Sequence, residues 1–265
     1  MGTPLIKWPG GKRALLKHLI PLVPKNYRNY YEPFLGGGAL FFALQPRQAV
    51  LSDTNFDLIN CYEQVRNNAS RLVVALGKYH NSPEFYYQIR DTLPSTKLQK
   101  AARLLYLARL SFNGIHRVNL QGKFNVPYGR KLHLAAAEPE QIRLASEALA
   151  RAKLSVADFE RATLNAKKRD LVYFDPPYTV AHSNNGFLKY NERIFSWDDQ
   201  IRLAAHAKRL AAKGCIVIVS NADHPSIKRL YPEFRYQVIE RFSVIAASSD
   251  HRKRITEAIF FSNGA

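Results

Sequence analysis

Long apolar runs are missing from this sequence. No stretch approaches the ~20 residues that a membrane-spanning helix needs, and the opening MGTPLIKWPGGKR lacks the apolar core of a secretory leader. The chain is therefore expected in the cytoplasm, without a membrane partner. Cysteine is nearly absent as well. Cys61 and Cys215 stand far apart with no metal-ligand spacing around either, which argues against a disulfide framework or a zinc site and leaves two buried thiols. No metal is expected. Acidic residues are scarce: 21 Asp plus Glu face 39 Lys plus Arg, for a net charge of +18. Solubility alone does not call for such an excess, so a polyanionic partner is indicated. Nucleic acid leads, because neutralising phosphates is what clustered Lys and Arg do best.

What is present reads as a packed protein, with 46% hydrophobic residues in 265. Short apolar runs bounded by turn residues fall at 30–32, 49–52, 154–157, 171–174, 216–219, 236–242 and 255–261, and predict strands. Helical periodicity lies between several of them, most clearly over 198–213, where Ser196 or Asp198 can cap and Gly214 can terminate. Alternating strand and helix predicts an α/β fold with a largely parallel sheet. The last two runs have no helix between them and predict an antiparallel hairpin at the sheet edge. Residues 57–150 differ: helix periodicity with few strand signals predicts a helical insertion, broken at 113–129 by an irregular loop or small hairpin. The expected division is a sheet domain of 1–56 and 151–265 around an insertion of 57–150, whose irregular loop or hairpin spans 112–130. Neither internal repeats nor low-complexity segments occur.

Three constellations carry chemistry. In YYEPFLGGGALFF, a strand ends at Glu32, and Gly36, Gly37 and Gly38 form a turn into a helix near Ala39. Asp53 then closes the next strand, seventeen positions after Gly36. Glycines let a ligand approach the backbone, and an acid at a parallel strand's carboxyl end suits ribose hydroxyls, so a nucleoside ligand is expected. That spacing does not separate a dinucleotide from S-adenosylmethionine. In YFDPPYTVAH, Asp175, Pro176, Pro177 and Tyr178 follow an apolar strand. Proline ends the ladder and leaves the Pro176 carbonyl able to face a cleft beside the Asp175 carboxylate. Such a double acceptor grips both hydrogens of an exocyclic amino group, and Tyr178 offers a face on which a base can stack. In PLIKWPGGKR, Lys7 and Lys12 flank Trp8 and a glycine turn; taken alone, this is better explained by an ordinary turn with exposed lysines than by a ligand site.

In these motifs and their order the chain resembles the Dam-type (D12 class) DNA adenine-N6 methyltransferases over nearly its whole length. KWPGGK, EPFLGGGALFF, LSDTN, LYLARLSFNGIHRVNLQGKFNVPYG and DPPY each match a family motif. The resemblance implies a Rossmann-like methyltransferase sheet with an inserted DNA-recognition domain, S-adenosylmethionine as methyl donor and double-stranded DNA as partner; a monomer in solution is expected. By the same resemblance, Asp175, Pro176 and Tyr178 are catalytic. Trp8, Lys12, Phe34, Gly36, Gly38, Asp53, Asp158, Phe159 and Asp175 contact the cofactor. Lys7, Arg109, Phe112, Asn113, Ile115, Arg117, Asn119 and Pro127 contact DNA, with Arg117 reading a guanine and a GATC site implied. Phe112 stands where family members often carry Tyr. The segments after Tyr178 and at 243–257 match the family only loosely. Cytosine-N4 methylation and a catalytically silent DNA-binding protein are the alternatives; cytosine-C5 chemistry is disfavoured because no cysteine lies near Pro176.

Overall fold

The computed structural model describes residues 2–119, 121–179, 195–242 and 254–262. Seven strands are found among them: β1 (Tyr30–Glu32), β2 (Ala49–Asp53), β3 (Ala152–Val156), β4 (Leu171–Phe174), β5 (Ile216–Ala222), β6 (Arg235–Phe242) and β7 (Arg254–Phe261). They form one sheet in the order β3-β2-β1-β4-β5-β7-β6. β1 runs parallel to β2 and to β4, and β4 parallel to β5, whereas β7 runs antiparallel to both β5 and β6. This is the mixed α/β sheet expected, with the antiparallel pair at one edge. Every residue of β4 and β5 is buried, which is why these strands read as unbroken apolar runs rather than alternating ones.

The chain divides into two compact units. The first comprises 1–11, 36–45 and 53–156, the second 12–35, 46–52 and 157–265. In the first, strand β3 is joined by helices α1 (Ala39–Leu44), α2 (Phe56–Leu76), α3 (Pro83–Asp91), α4 (Lys97–Leu110) and α5 (Pro139–Leu149). Helix α2 packs on α4 and α5, burying Leu58, Tyr62 and Val65 with Leu104, Leu107, Ile142 and Leu149. Helix α3 escaped the periodicity reading because it buries a single residue, Tyr86, so Ser82 as cap and Pro83 at its first turn are its clearest signals.

In the second unit, α6 (Phe159–Ala162), α7 (Trp197–Ala212) and α8 (Pro225–Leu230) accompany the sheet. Of the two caps expected for α7, Ser196 serves: its hydroxyl accepts from the Asp199 N–H at 3.1 Å, and the Asp199 carboxylate accepts from the Ser196 N–H at 2.9 Å. One apolar cluster joins Tyr31, Phe159, Val172, Phe174, Leu203, Val217, Val219 and Phe260, fixing β1, β4, β5 and β7. No helix among the described residues is long and apolar enough to cross a membrane.

Candidate active site

In the second unit, β4 delivers Asp175 and Pro176 directly beyond its last residue, Phe174. The Lys12 ammonium meets Asp175 Oδ1 at 2.8 Å and lies 4.0 Å from Glu257 Oε2. Lys12 is only 6% exposed and Glu257 1%, so these charges interact largely out of water. The same ammonium stands 4.7 Å from the centre of the Tyr178 ring. The Tyr178 hydroxyl donates to Glu257 Oε2 at 2.7 Å. Burial pushes the Tyr178 phenol well up, and the carboxylates of Glu257 and Asp175 push it further, so it remains a protonated donor.

The Pro-Pro turn has its own support. The Gln200 amide donates to the Pro177 carbonyl at 3.1 Å, and the Asn221 amide donates to the Gln200 carbonyl oxygen at 2.9 Å. Tyr173 and Ser220, on adjoining strands, join hydroxyls at 2.9 Å. Glu257, Gln200 and Asn221 were not singled out from the sequence. Their only signal is a polar residue inside an otherwise buried element.

Phe34, expected at the cofactor, packs with Phe159 at 5.7 Å between ring centres. Phe159 itself is 1% exposed and lies in the apolar cluster. Asp158 caps α6 and takes two bonds from the Arg202 guanidinium at 3.0 and 2.9 Å. Burial opposes its ionisation, but the Arg202 pairing outweighs that and holds the carboxyl below its usual value.

In the first unit, the glycine turn and Asp53 do come together. Asp53 Oδ2 accepts from the Gly36 N–H at 3.0 Å and Oδ1 from the Asn55 N–H at 2.9 Å. Burial raises the Asp53 pKa in spite of these bonds. Gly36 has φ +45° and Gly38 +63°, the left-handed region; a Cβ on Gly36 would sit 3.1 Å from Trp8 Cδ1. The Tyr62 hydroxyl secures the turn by donating to the Gly36 carbonyl at 2.9 Å. An ionised carboxylate accepts at about four lone-pair positions. With the backbone N–H groups of Gly36, Asn55 and Thr54 acting on it, Asp53 keeps acceptor capacity for a ribose hydroxyl, so the residues present fit a nucleoside cofactor.

The segment expected to read DNA folds as a loose hairpin. Single bridges pair Ser111 with Tyr128 and Val118 with Phe124, and the Asn119 N–H donates to the Lys123 carbonyl at 2.8 Å. Arg117, Asn125 and Pro127 are exposed on it, and Arg117 Nε donates to Asn125 Oδ1 at 2.9 Å. Phe112 exposes 42% of its surface, next to Asn113 at φ +53°. Ile115 and Asn119 are half-buried and Lys7 is exposed. Arg109, by contrast, is directed inward to the Glu138 carboxylate and the Ala135 carbonyl. Lys131, absent from the sequence reading, donates to the Arg109 carbonyl at 2.8 Å. Its pKa is lowered by burial and then by Lys7 and Arg109, so positive charge concentrates beside this loop. Of the loosely matching segment 243–257, residues 243–253 lie outside the described residues.

A groove of about 630 Å³ in the second unit is lined by Asn26, Arg169, Lys208 and Glu233 together with Ile216, the first residue of β5. It belongs to the amino ends of the parallel strands, opposite the carboxyl ends where ligands of open α/β sheets bind. Among the described residues no group of three or more His, Cys, Asp or Glu could hold a metal ion.

Comparison with known proteins follows the same lines. Residues 8–245 match the family described as D12 class N6 adenine-specific DNA methyltransferase. The type II methyltransferase M1.LlaDCHI of Lactococcus lactis subsp. cremoris is 40% identical over 271 residues, covering 98% of this chain and 95% of that one. M.MjaIII of Methanocaldococcus jannaschii is 33% identical, covering 94% and 95%. The DNA adenine methylase of Escherichia coli (strain K12) is 30% identical, covering 96% and 93%.

Proposed function

This chain belongs to the D12 class N6 adenine-specific DNA methyltransferase family, and from that premise we propose that it methylates adenine N6 in duplex GATC sites after turning the target base out of the helix. The methyl donor is S-adenosylmethionine, which supplies an activated methyl group on a sulfonium and calls for neither a metal nor a covalent enzyme intermediate. Asp53, the turn of Gly36 and Gly38, and Trp8 are the residues of the first unit that would hold it. The enzyme's own contribution is placement and desolvation of the amino group.

One observation carries the reading. The Lys12 ammonium is an N–H donor bonded to Asp175 at 2.8 Å and set over the Tyr178 ring at 4.7 Å. An exocyclic amino group stacked on Tyr178 needs the same acceptor and the same face. Adenine N6 is a poor nucleophile because its lone pair is delocalised into the ring. Acceptance of its two hydrogens by Asp175 and the Pro176 carbonyl favours a tetrahedral nitrogen, an interaction strongest in the transition state. Glu257 fixes the Tyr178 ring through its hydroxyl. N6 cannot be reached in this way inside a duplex, so base flipping follows, at a cost of a few kcal/mol. Residues 57–150 carry the DNA-reading role, with Phe112 and Asn113 entering the duplex and Arg117 reading guanine.

The test is transfer of radiolabelled methyl to duplexes with one GATC site, followed by sequencing for N6-methyladenine. Label on cytosine N4, or equal label on duplexes without GATC, overturns the corresponding part. Base flipping is read from 2-aminopurine placed at the target adenine; an absence of fluorescence increase on binding refutes it.

A further inference from the structure

Trp8 and His116 come from segments with different expected tasks, the N-terminal motif and the DNA-reading loop, yet within the first unit they stack. Their ring centres are 4.5 Å apart and their planes inclined by 20°. The indole that meets the imidazole also packs on the glycine turn. A Cβ on Gly36 would approach Trp8 Cδ1 to 3.1 Å, and one on Gly37 would approach Trp8 Cβ to 3.5 Å. Gly36 donates to Asp53, so the turn, the acid and the indole form one contact chain. On its other side His116 meets Phe124 edge-on at 5.4 Å, on the return arm of the hairpin. Its sequence neighbour Arg117 is tied to Asn125, the neighbour of Phe124. Lys7 adds a second contact between motif and loop, since a Cβ on Gly114 would fall 2.9 Å from Lys7 Cδ.

We propose that His116 is a positioning residue that couples the cofactor to DNA reading: occupancy of the Asp53 turn orders Trp8, Trp8 orders His116, and His116 sets the arm carrying Arg117. The proposal rests on the reading of the Asp53 turn as the cofactor site and of 112–130 as the DNA-reading loop. Its physical basis is the sparse framework of that loop. Among the described residues, two isolated bridges and a few scattered backbone bonds, rather than a continuous ladder, hold the hairpin, so the packing of His116 against Trp8 adds to what fixes its conformation. Burial holds the imidazole neutral, with its pKa pushed down to about 4, so the stack is not interrupted by protonation near neutral pH. Linkage then requires the effect to be mutual: the cofactor tightens specific DNA binding by the factor by which DNA tightens cofactor binding.

The test uses the full chain and S-adenosylhomocysteine, which donates no methyl group, so that binding is read without turnover. Its dissociation constant is measured alone and with saturating GATC duplex. In the wild type the duplex should tighten it by about fivefold or more. His116→Ala should bring that factor close to one while leaving the affinity without DNA within about twofold, and His116→Phe, which keeps a stacking ring, should restore it. An undiminished factor in His116→Ala, or no coupling in a wild type that binds both ligands and methylates, overturns the proposal and leaves the enzymatic reading intact. A wild type that binds neither ligand overturns both. Should His116→Ala fail to fold, a second measurement decides. Trp8 and Trp197 are the only tryptophans, so Trp197→Phe leaves Trp8 as the sole tryptophan, excited selectively at the red edge of its absorption. Its fluorescence should change on adding duplex without cofactor, and no change refutes the coupling.

Discussion

Asp175→Asn keeps the shape of the side chain and removes its charge, which separates its chemical role from its structural one. The Lys12 ammonium sits 2.8 Å from Asp175 and 4.0 Å from Glu257. At an effective dielectric of about 20, these distances give gross attractions of roughly 6 and 4 kcal/mol, so Asp175 provides the larger share. Breaking a buried pair by removing one partner costs about 3–5 kcal/mol. With Glu257 still in place, the lower end applies, about 3 kcal/mol. For a chain of this size that corresponds to a fall in Tm of roughly 6–12 °C, measurable by a thermal shift assay. Methyl transfer, assayed well below the lowered Tm, should fall by roughly 10²–10³, the range seen when one preorganised hydrogen-bonding group is removed from an active site. Duplex affinity should stay within about twofold, because the reading loop is untouched. A wild-type transfer rate would show that Asp175 does not hold the reacting amino group. An unchanged Tm would show that its pairing with Lys12 contributes nothing to stability.

The other expectations concern single positions. Glu257→Gln leaves an acceptor for the Tyr178 hydroxyl but makes the bond neutral, a loss of about 1 kcal/mol. If Glu257 acts through Tyr178, then combining the change with Tyr178→Phe should cost less in kcat than the two singly, and strict additivity counts against that link. Gly36→Ala forces a Cβ into the left-handed region at about 1–2 kcal/mol and against the Trp8 indole. Calorimetry should show cofactor affinity reduced at least about tenfold, and an unchanged value would remove the turn from the cofactor site. Arg117→Ala should relax discrimination at one guanine by about 1–3 kcal/mol, read from kcat/KM on duplexes altered base by base; an unchanged preference would clear Arg117 of the reading role. For pH, the folded His116 pKa of about 4 lies below its ordinary 6.5, so between those values the unfolded chain binds a proton that the native chain does not. Stability from this group is therefore complete above pH 6.5 and lost as pH falls towards 4, and His116→Phe should flatten the slope of Tm against pH in that window.

The strands were legible because the sheet's middle is buried on both faces, so β4 and β5 announce themselves as runs of Leu, Val, Ile, Tyr and Phe. The pairing of Gly36 with Asp53 was legible for a related reason: a glycine turn and an acid at successive strand ends are brought together by parallel topology itself. Contacts fixed by packing rather than by local pattern were not. His116 is a single histidine in an irregular loop, and nothing in its neighbours announces the indole of Trp8. Lys12 could be assigned to the cofactor motif by position, but its ion pair with Asp175 depends on how chain segments 163 residues apart fold together.

Glu257 shows how topology alone can complete a site. Phe174, the last residue of β4, is in register with Val219 of β5, so Ser220, Asn221 and Ala222 continue β5 past the end of β4, at the level of the Asp175 turn. Because β7 is antiparallel to β5, Ala222 pairs with Glu257, near the start of β7. A parallel strand in that place would offer its carboxyl end to this edge; the antiparallel one offers residues that follow directly on the 243–253 segment. Side chains alternate faces along a strand, so Thr256 and Ala258 point away from the face that Glu257 serves. Among these neighbours only position 257 can bring a carboxylate to the Tyr178 hydroxyl. A slip of one residue between β5 and β7 would withdraw it from Tyr178 and from Lys12 together, so the register of the last strand fixes both contacts at once.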